Sequence, residues 1–161
     1  MWMIGVTYMK QSPELRVIQE NMLTGSLAAF GFLGSDTRSL ADILRDDDER
    51  VTSLALTHEA IAERLQFFYD KGQQSLGQTV ATDHFDVVVE EHKGGIPCPF
   101  RDNFTAPKAV ITVTERNSGQ TMTWSALNIH MIRAHGFYEG VGAKFRVEPE
   151  TVAELLWKEN L

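Results

Sequence analysis

The sequence predicts an α+β fold in which helices precede a small antiparallel sheet and two further helices close the chain. Three observations predict it. Apolar residues recur at helical spacing up to about residue 77. Beyond that point alternating, β-branched runs take over at 85–91 and 108–115. Arg116-Asn117-Ser118-Gly119 then has the composition of a hairpin turn, with Gly119 at its left-handed position. Strands joined by such a turn pair antiparallel, and helices segregated from them in sequence argue against a doubly wound sheet.

The first helix is expected over 13–24. Ser12 precedes it, Pro13 takes the first position, where a missing N–H costs nothing, and Leu15, Ile18 and Met22 form one apolar stripe. The run 27–33, Leu-Ala-Ala-Phe-Gly-Phe-Leu, is almost wholly apolar and has to be covered, either within the chain or in a homodimer. Ser39 with Asp42 resembles a capping box and opens a short helix over 39–46, with a charged loop continuing to Arg50. Thr57 caps a third helix, 57–71, which Gly72 is expected to end. Strands follow at 85–91, 108–115 and 120–124, the first two separated by a loop rich in glycine and proline from His92 to Pro107. The last two helices are placed at 125–135, stopped by Gly136, and at 149–160, with Val152, Leu155 and Leu156 inward. The chain reads as one domain, 1–161, with a helical part at 11–77, a hairpin-and-helix part at 78–161, and residues 1–10 as a loosely attached segment.

Composition narrows the function classes. Of 161 residues, 43% are hydrophobic and 23% charged, as in an ordinary folded chain. Acidic residues outnumber basic ones 22 to 15, for a formal charge of −7. The lysines and arginines are scattered, so neither nucleic acid nor a membrane surface is expected as a partner. A single cysteine excludes an internal disulfide, and Met1–Met9 lacks the basic start and apolar core of a signal peptide; a cytoplasmic protein is expected.

The residues able to carry chemistry gather in the second half of the chain. His92, Cys98, His130 and His135 offer the imidazole and thiolate donors that zinc prefers, and His130-x4-His135 has the spacing of the second half of a zinc finger. The usual Cys-x2–4-Cys partner is absent. Five residues of regular helix also turn two side chains about 140° apart, so the rings are expected to meet only if the helix ends between them. On the same helical wheel His135 falls in line with Trp124, Leu127 and Met131, which makes it a framework histidine at the C-terminal end of the helix. Cys98, held between Pro97 and Pro99, is either a rigidly presented nucleophile or a small buried hydrophobe. The glycines of 136–142, with Lys144 and Arg146 after them, could seat an anion, although they follow a helix rather than open one.

No catalytic constellation is complete. The leading expectation is therefore a non-catalytic module without a cofactor, binding a small ligand or a protein partner through Cys98, His130, His135, Glu139 and Arg146. Self-association through the helices and 27–33 accompanies that reading. The rival is a metal- or thiol-dependent enzyme on Cys98, His130 and His135, with zinc as the cofactor. A helix-turn-helix regulator is a second alternative, resting on Thr57–Leu65; residues 72–77 are too short for a recognition helix.

Overall fold

A computed structural model describes residues 11–157. The expected loose segment 1–10 and the final residues of the 149–160 helix lie outside them. The order of elements is α1 (Pro13–Asn21), α2 (Leu40–Ser53), α3 (His58–Gln73), β1 (Val80–Thr82), β2 (Phe85–Pro97), β3 (Thr105–Glu115), β4 (Thr121–Ser125), α4 (Ala126–His135) and α5 (Pro149–Thr151). After α5 the chain widens into a π-helical turn, Val152–Leu156, whose Val152, Leu155 and Leu156 are fully buried as expected. The architecture is α+β, with helices before and after one antiparallel sheet. No described helix is long and apolar enough to cross a membrane.

Ser12 caps α1 by accepting the Leu15 N–H, but the helix stops at Asn21, short of the expected residue 24. The chain then folds back until the Phe32 N–H donates to the Met22 carbonyl at 2.8 Å. That reversal covers only part of the apolar run. Phe32 and Leu33 are buried, whereas Leu27 is 37% and Phe30 64% exposed.

The largest correction is in α2, which runs straight through the segment expected to be a charged loop. Nothing between 45 and 50 breaks a helix. Opposite charges one turn apart favour it, Arg45 with Asp42 at 3.2 Å and Arg50 with Asp47 at 3.8 Å. Its start is satisfied from outside as well as by Ser39: the side-chain oxygens of Gln19 and Gln11 accept the Leu40 and Ala41 N–H groups.

Thr57 caps α3 as expected, yet Gly72 does not end it. A Cβ there would lie 2.5 Å from Val89 Cγ2, so the missing side chain lets the helix lie directly on the sheet. The sheet order is β1-β2-β3-β4, antiparallel throughout. In register, Val87, Val113 and Met122 form one inward row, and Val89, Ile111 and Trp124 the next. The opposite face is polar, with Thr112 against Thr123 and Thr114 against Thr121. β1 escaped the sequence reading because three residues carry no periodicity. β2 and β3 also extend well into the region expected to be loop. A bulge between His92 and Gly95 resets the register there. Pro107 is tolerated because β4 pairs with β3 only from Val110 onward. The expected loop 92–107 shrinks to 98–104.

Two polar clasps hold the helices to the segment after α4. His58 reaches Tyr138 Oη at 2.9 Å through Nδ1 and Asp48 Oδ1 at 2.8 Å through Nε2. Arg146 donates to Asp47 at 2.5 and 2.8 Å, to Glu148 at 3.1 and 3.2 Å, and to the Glu139 carbonyl at 2.8 Å. Those five bonds use all five guanidinium donors. Asp47 and Arg146 side chains are only 2% and 5% exposed, so removing Arg146 leaves Asp47 buried with only the longer contact to Arg50 at 3.8 Å. Arg146→Met is expected to cost about 3–5 kcal/mol in urea unfolding. Adding Asp47→Leu to it should recover part of that loss, a coupling that a double-mutant cycle measures.

Candidate metal centre

The loop 98–104 is built to hold its side chains still. Pro97 and Pro99 restrict the backbone on either side of Cys98. The Cys98 N–H donates to the Phe104 carbonyl at 2.8 Å, and the Arg101 N–H to the Cys98 carbonyl at 3.3 Å. Arg101 and Asn103 take left-handed backbone conformations, with φ of 61° and 62°. Between them Asp102 turns back on its own chain, Oδ1 accepting the Phe104 N–H at 3.1 Å.

Opposite the loop stands α4. Ser125 is both the last residue of β4 and the cap of α4, in a reciprocal box with Asn128. The helix continues to His135 and ends at Gly136, which adopts the left-handed conformation at φ 62°. His130 and His135 both face the loop. Phe104 stacks on His130 at 3.7 Å between centroids and Phe100 on His135 at 4.0 Å, each pair within 7° of parallel. Both distal nitrogens then point at one atom: His130 Nε2 lies 2.6 Å and His135 Nε2 2.7 Å from Asp102 Oδ2. The helix does not end between the two histidines, contrary to the wheel argument. They are separated by about 7.5 Å of rise, and each spans the gap by reaching through Nε2 to a carboxylate set between them.

Cys98 Sγ completes the group. One donor atom each from Cys98, Asp102, His130 and His135 lies within 4.8 Å of the others. Three of the four residues were singled out in the sequence. His92 is replaced by Asp102: it sits exposed beside the β2 bulge, opposite Lys108, and outside the group. Nor is His135 part of the apolar stripe, since its side chain is 21% exposed and bonded to Asp102. A signal for Asp102 was present. Cys98-x3-Asp102 has the spacing of the first half of a zinc finger once a carboxylate is admitted in place of the second cysteine.

The electrostatics are those of a site with both acids and bases close together. Burial opposes ionisation of Asp102, but hydrogen bonds from His135, His130 and the Phe104 N–H outweigh it and hold the carboxyl well below the usual range. Burial also pushes the Cys98 thiol up to about 12, with the Asp102 carboxylate adding to the effect. Such a thiol is protonated near neutrality and is a poor nucleophile unless a cation stabilises its thiolate.

The two remaining candidates lie elsewhere. Arg146 has no donor left for a ligand. Glu139 is 2% exposed, on the far side of Asn128, whose Nδ2 donates to Glu139 Oε2 at 2.5 Å. Burial pushes the Glu139 carboxyl up to about 8, against the opposing influences of Asn128 and Arg146. The chain matches no protein-family model, no curated protein and no solved structure, so the site is read from its own geometry.

Glu139 gives a signed pH prediction. Its folded value exceeds the ordinary 4.5, so its stabilisation is complete below about 4.5 and declines as pH rises toward about 8. Glu139→Gln removes that dependence. The stability of the variant relative to the native chain should rise across this interval, by a total on the order of a few kcal/mol, in urea titrations at successive pH values.

Proposed function

We propose that this chain is a zinc-binding, non-catalytic domain, in which one ion joins the 98–104 loop to α4. The convergence of a thiol, a carboxylate and two imidazole Nε2 atoms within 4.8 Å carries this reading. Zinc with bonds of about 2.0–2.3 Å in a tetrahedron sets its donors about 3.3–3.8 Å apart. The present separations, from 2.6 Å between His130 and Asp102 to a maximum of 4.8 Å, bracket that range, so small side-chain shifts suffice. One sulfur, two imidazoles and one carboxylate suit zinc better than the harder calcium or magnesium. With thiolate and carboxylate each contributing one negative charge, the shell neutralises a divalent ion.

Four ligands from the chain close the coordination sphere, the pattern of structural zinc, whereas catalytic zinc keeps a position open. Hence we read the ion as a cross-link and the chain as a binding module. A hairpin loop and a helix each supply two ligands, the plan that zinc fingers also use. A reducing compartment such as the cytoplasm suits a free thiolate ligand.

Elemental analysis of the purified full-length chain should find one zinc per molecule, and X-ray absorption one sulfur with three nitrogen or oxygen neighbours. Cys98→Ala and His135→Ala should each reduce zinc to background. Free zinc at about 1,000 times its Kd should raise unfolding stability by about 4 kcal/mol, and chelation should remove that increment. Metal-free protein that also fails to take up zinc would sink the proposal. If zinc is bound, a cobalt-substituted spectrum that shifts on adding azide would replace the closed, structural site with an open one.

A further inference from the structure

A second site lies at the opposite end of α4 from His135, against its first turn. There a cavity of about 340 Å³ is walled by Phe30, Phe32, Ile96, Leu127 and Phe145. Its volume is at the lower end of the range for small-molecule sites, and its mostly apolar wall with a few polar groups has their composition. The polar groups are Ser125, Glu139, Lys108 and Lys144. Glu139 is buried, and Asn128 occupies only Oε2. Among the described residues Oε1 has no hydrogen-bond partner, yet it is not among the buried atoms sealed off without one. Glu139 is one of the residues that line the cavity, and Oε1 is its oxygen free for a ligand. At the mouth, Lys144 Nζ stands 4.3 Å from the Phe30 ring centroid and 5.4 Å from that of Phe145. Lys108 also contributes to the lining, on the side of the β2 bulge, so two basic residues border one cavity in a chain of net charge −7.

The exposure of Leu27 and Phe30 acquires a reason at this site. The apolar run 27–33 does not merely fall short of covering itself; it forms one wall and the rim of the cavity. The opposite wall comes from Gly95 and Ile96, just past the β2 bulge, and from Leu127 in the first turn of α4. Lys108 and Lys144 are both exposed residues, so their charged ends are not held in the core.

We propose that this cavity binds a small organic carboxylate with an apolar body of about one aromatic ring, its charge met by Lys108 and Lys144 and a hydroxyl or carbonyl at its far end bonded to Glu139. A ligand amine would meet two like charges along the lining, which argues against cations. Protonated Glu139 offers an O–H donor that the surrounding apolar wall does not compete for, and its ionisation would leave Oε1 able only to accept. The charged and titratable groups around it are Arg146, which donates to its backbone carbonyl, and the two cavity lysines. This site shares no residue with the metal group.

The test is calorimetry and saturation-transfer NMR on the full chain, with phenylacetate and 4-hydroxyphenylacetate as probes and phenethylamine as the cationic control. Both acids should bind, the hydroxylated one more tightly, and the amine at least tenfold more weakly. Lys108→Glu with Lys144→Glu, which change exposed side chains, should weaken the acids at least tenfold while circular dichroism and the urea midpoint hold. Acid affinity should fall as pH passes about 8, and Glu139→Gln should flatten that profile. Equal or tighter binding of the amine, no binding of either acid, or acid binding indifferent to the double charge reversal would each overturn the assignment. Zinc content is an independent readout, so failure here leaves the metal proposal standing and failure there leaves this one.

Discussion

The join between β4 and α4 has no linker, and that constraint sets the rest of the functional geometry. Ser125 ends the strand and caps the helix. Fully buried Asn128 locks the join, its Oδ1 accepting the Ser125 N–H at 2.7 Å and its own N–H donating to Ser125 Oγ at 3.1 Å. A strand fixed by its ladder thus dictates the azimuth of the helix that follows. His130 and His135 come to face the 98–104 loop because of that azimuth. The same carboxamide donates to Glu139 on the other side. A buried amide with this many assigned partners leaves little freedom, since any rotation would strand polar atoms in the core.

The loop that faces α4 is anchored in the core at one end only: Cys98 and Pro99 are buried, whereas 101–104 are exposed. Phe104 stacks on His130 and remains 39% exposed, whereas Phe100 stacks on His135 and also packs edge-on against buried Phe137. The core itself lies deeper, in a continuous cluster from Met22 through Trp124 to Leu156. The proposed zinc cross-link would tie the exposed end of this loop, 101–104, to α4. The aromatic rings also fix imidazole orientation, which is what a ligand needs from its surroundings. Framework and the proposed ligation are thus compatible for His130 and His135: stacking orients the rings, and both Nε2 atoms meet Asp102 Oδ2.

Charge is handled in two different ways within the chain. Asp47 and Arg146 are buried together with every guanidinium donor bonded, so the pair is electrostatically closed. Asp102 sits nearer solvent and collects two imidazoles on one oxygen. Glu139 is buried without a cation of its own, and its carboxyl rises accordingly. Of these three acids, only the latter two have atoms in places that an ion or ligand can reach.

The sequence by itself determined the fold class and the features carried by local rules. Caps at Ser12, Ser39 and Thr57, the turn glycine Gly119, the stop at Gly136 and the alternation through Ala109, Ile111 and Val113 all depend on residues within a few positions of one another. It also singled out Cys98, His130 and His135 by their donor chemistry. Only the tertiary structure decided which of these meet. Asp102 enters because the hairpin loop folds across a helix some thirty residues downstream, and His92 drops out because a bulge leaves it on the exposed strand. The helical course of 45–50 follows local rules too, but the burial of Asp47 within that otherwise solvated run awaited Arg146, nearly a hundred residues away. Local rules reach a turn or two along the chain, whereas side-chain convergence depends on backbone directions summed over the whole fold.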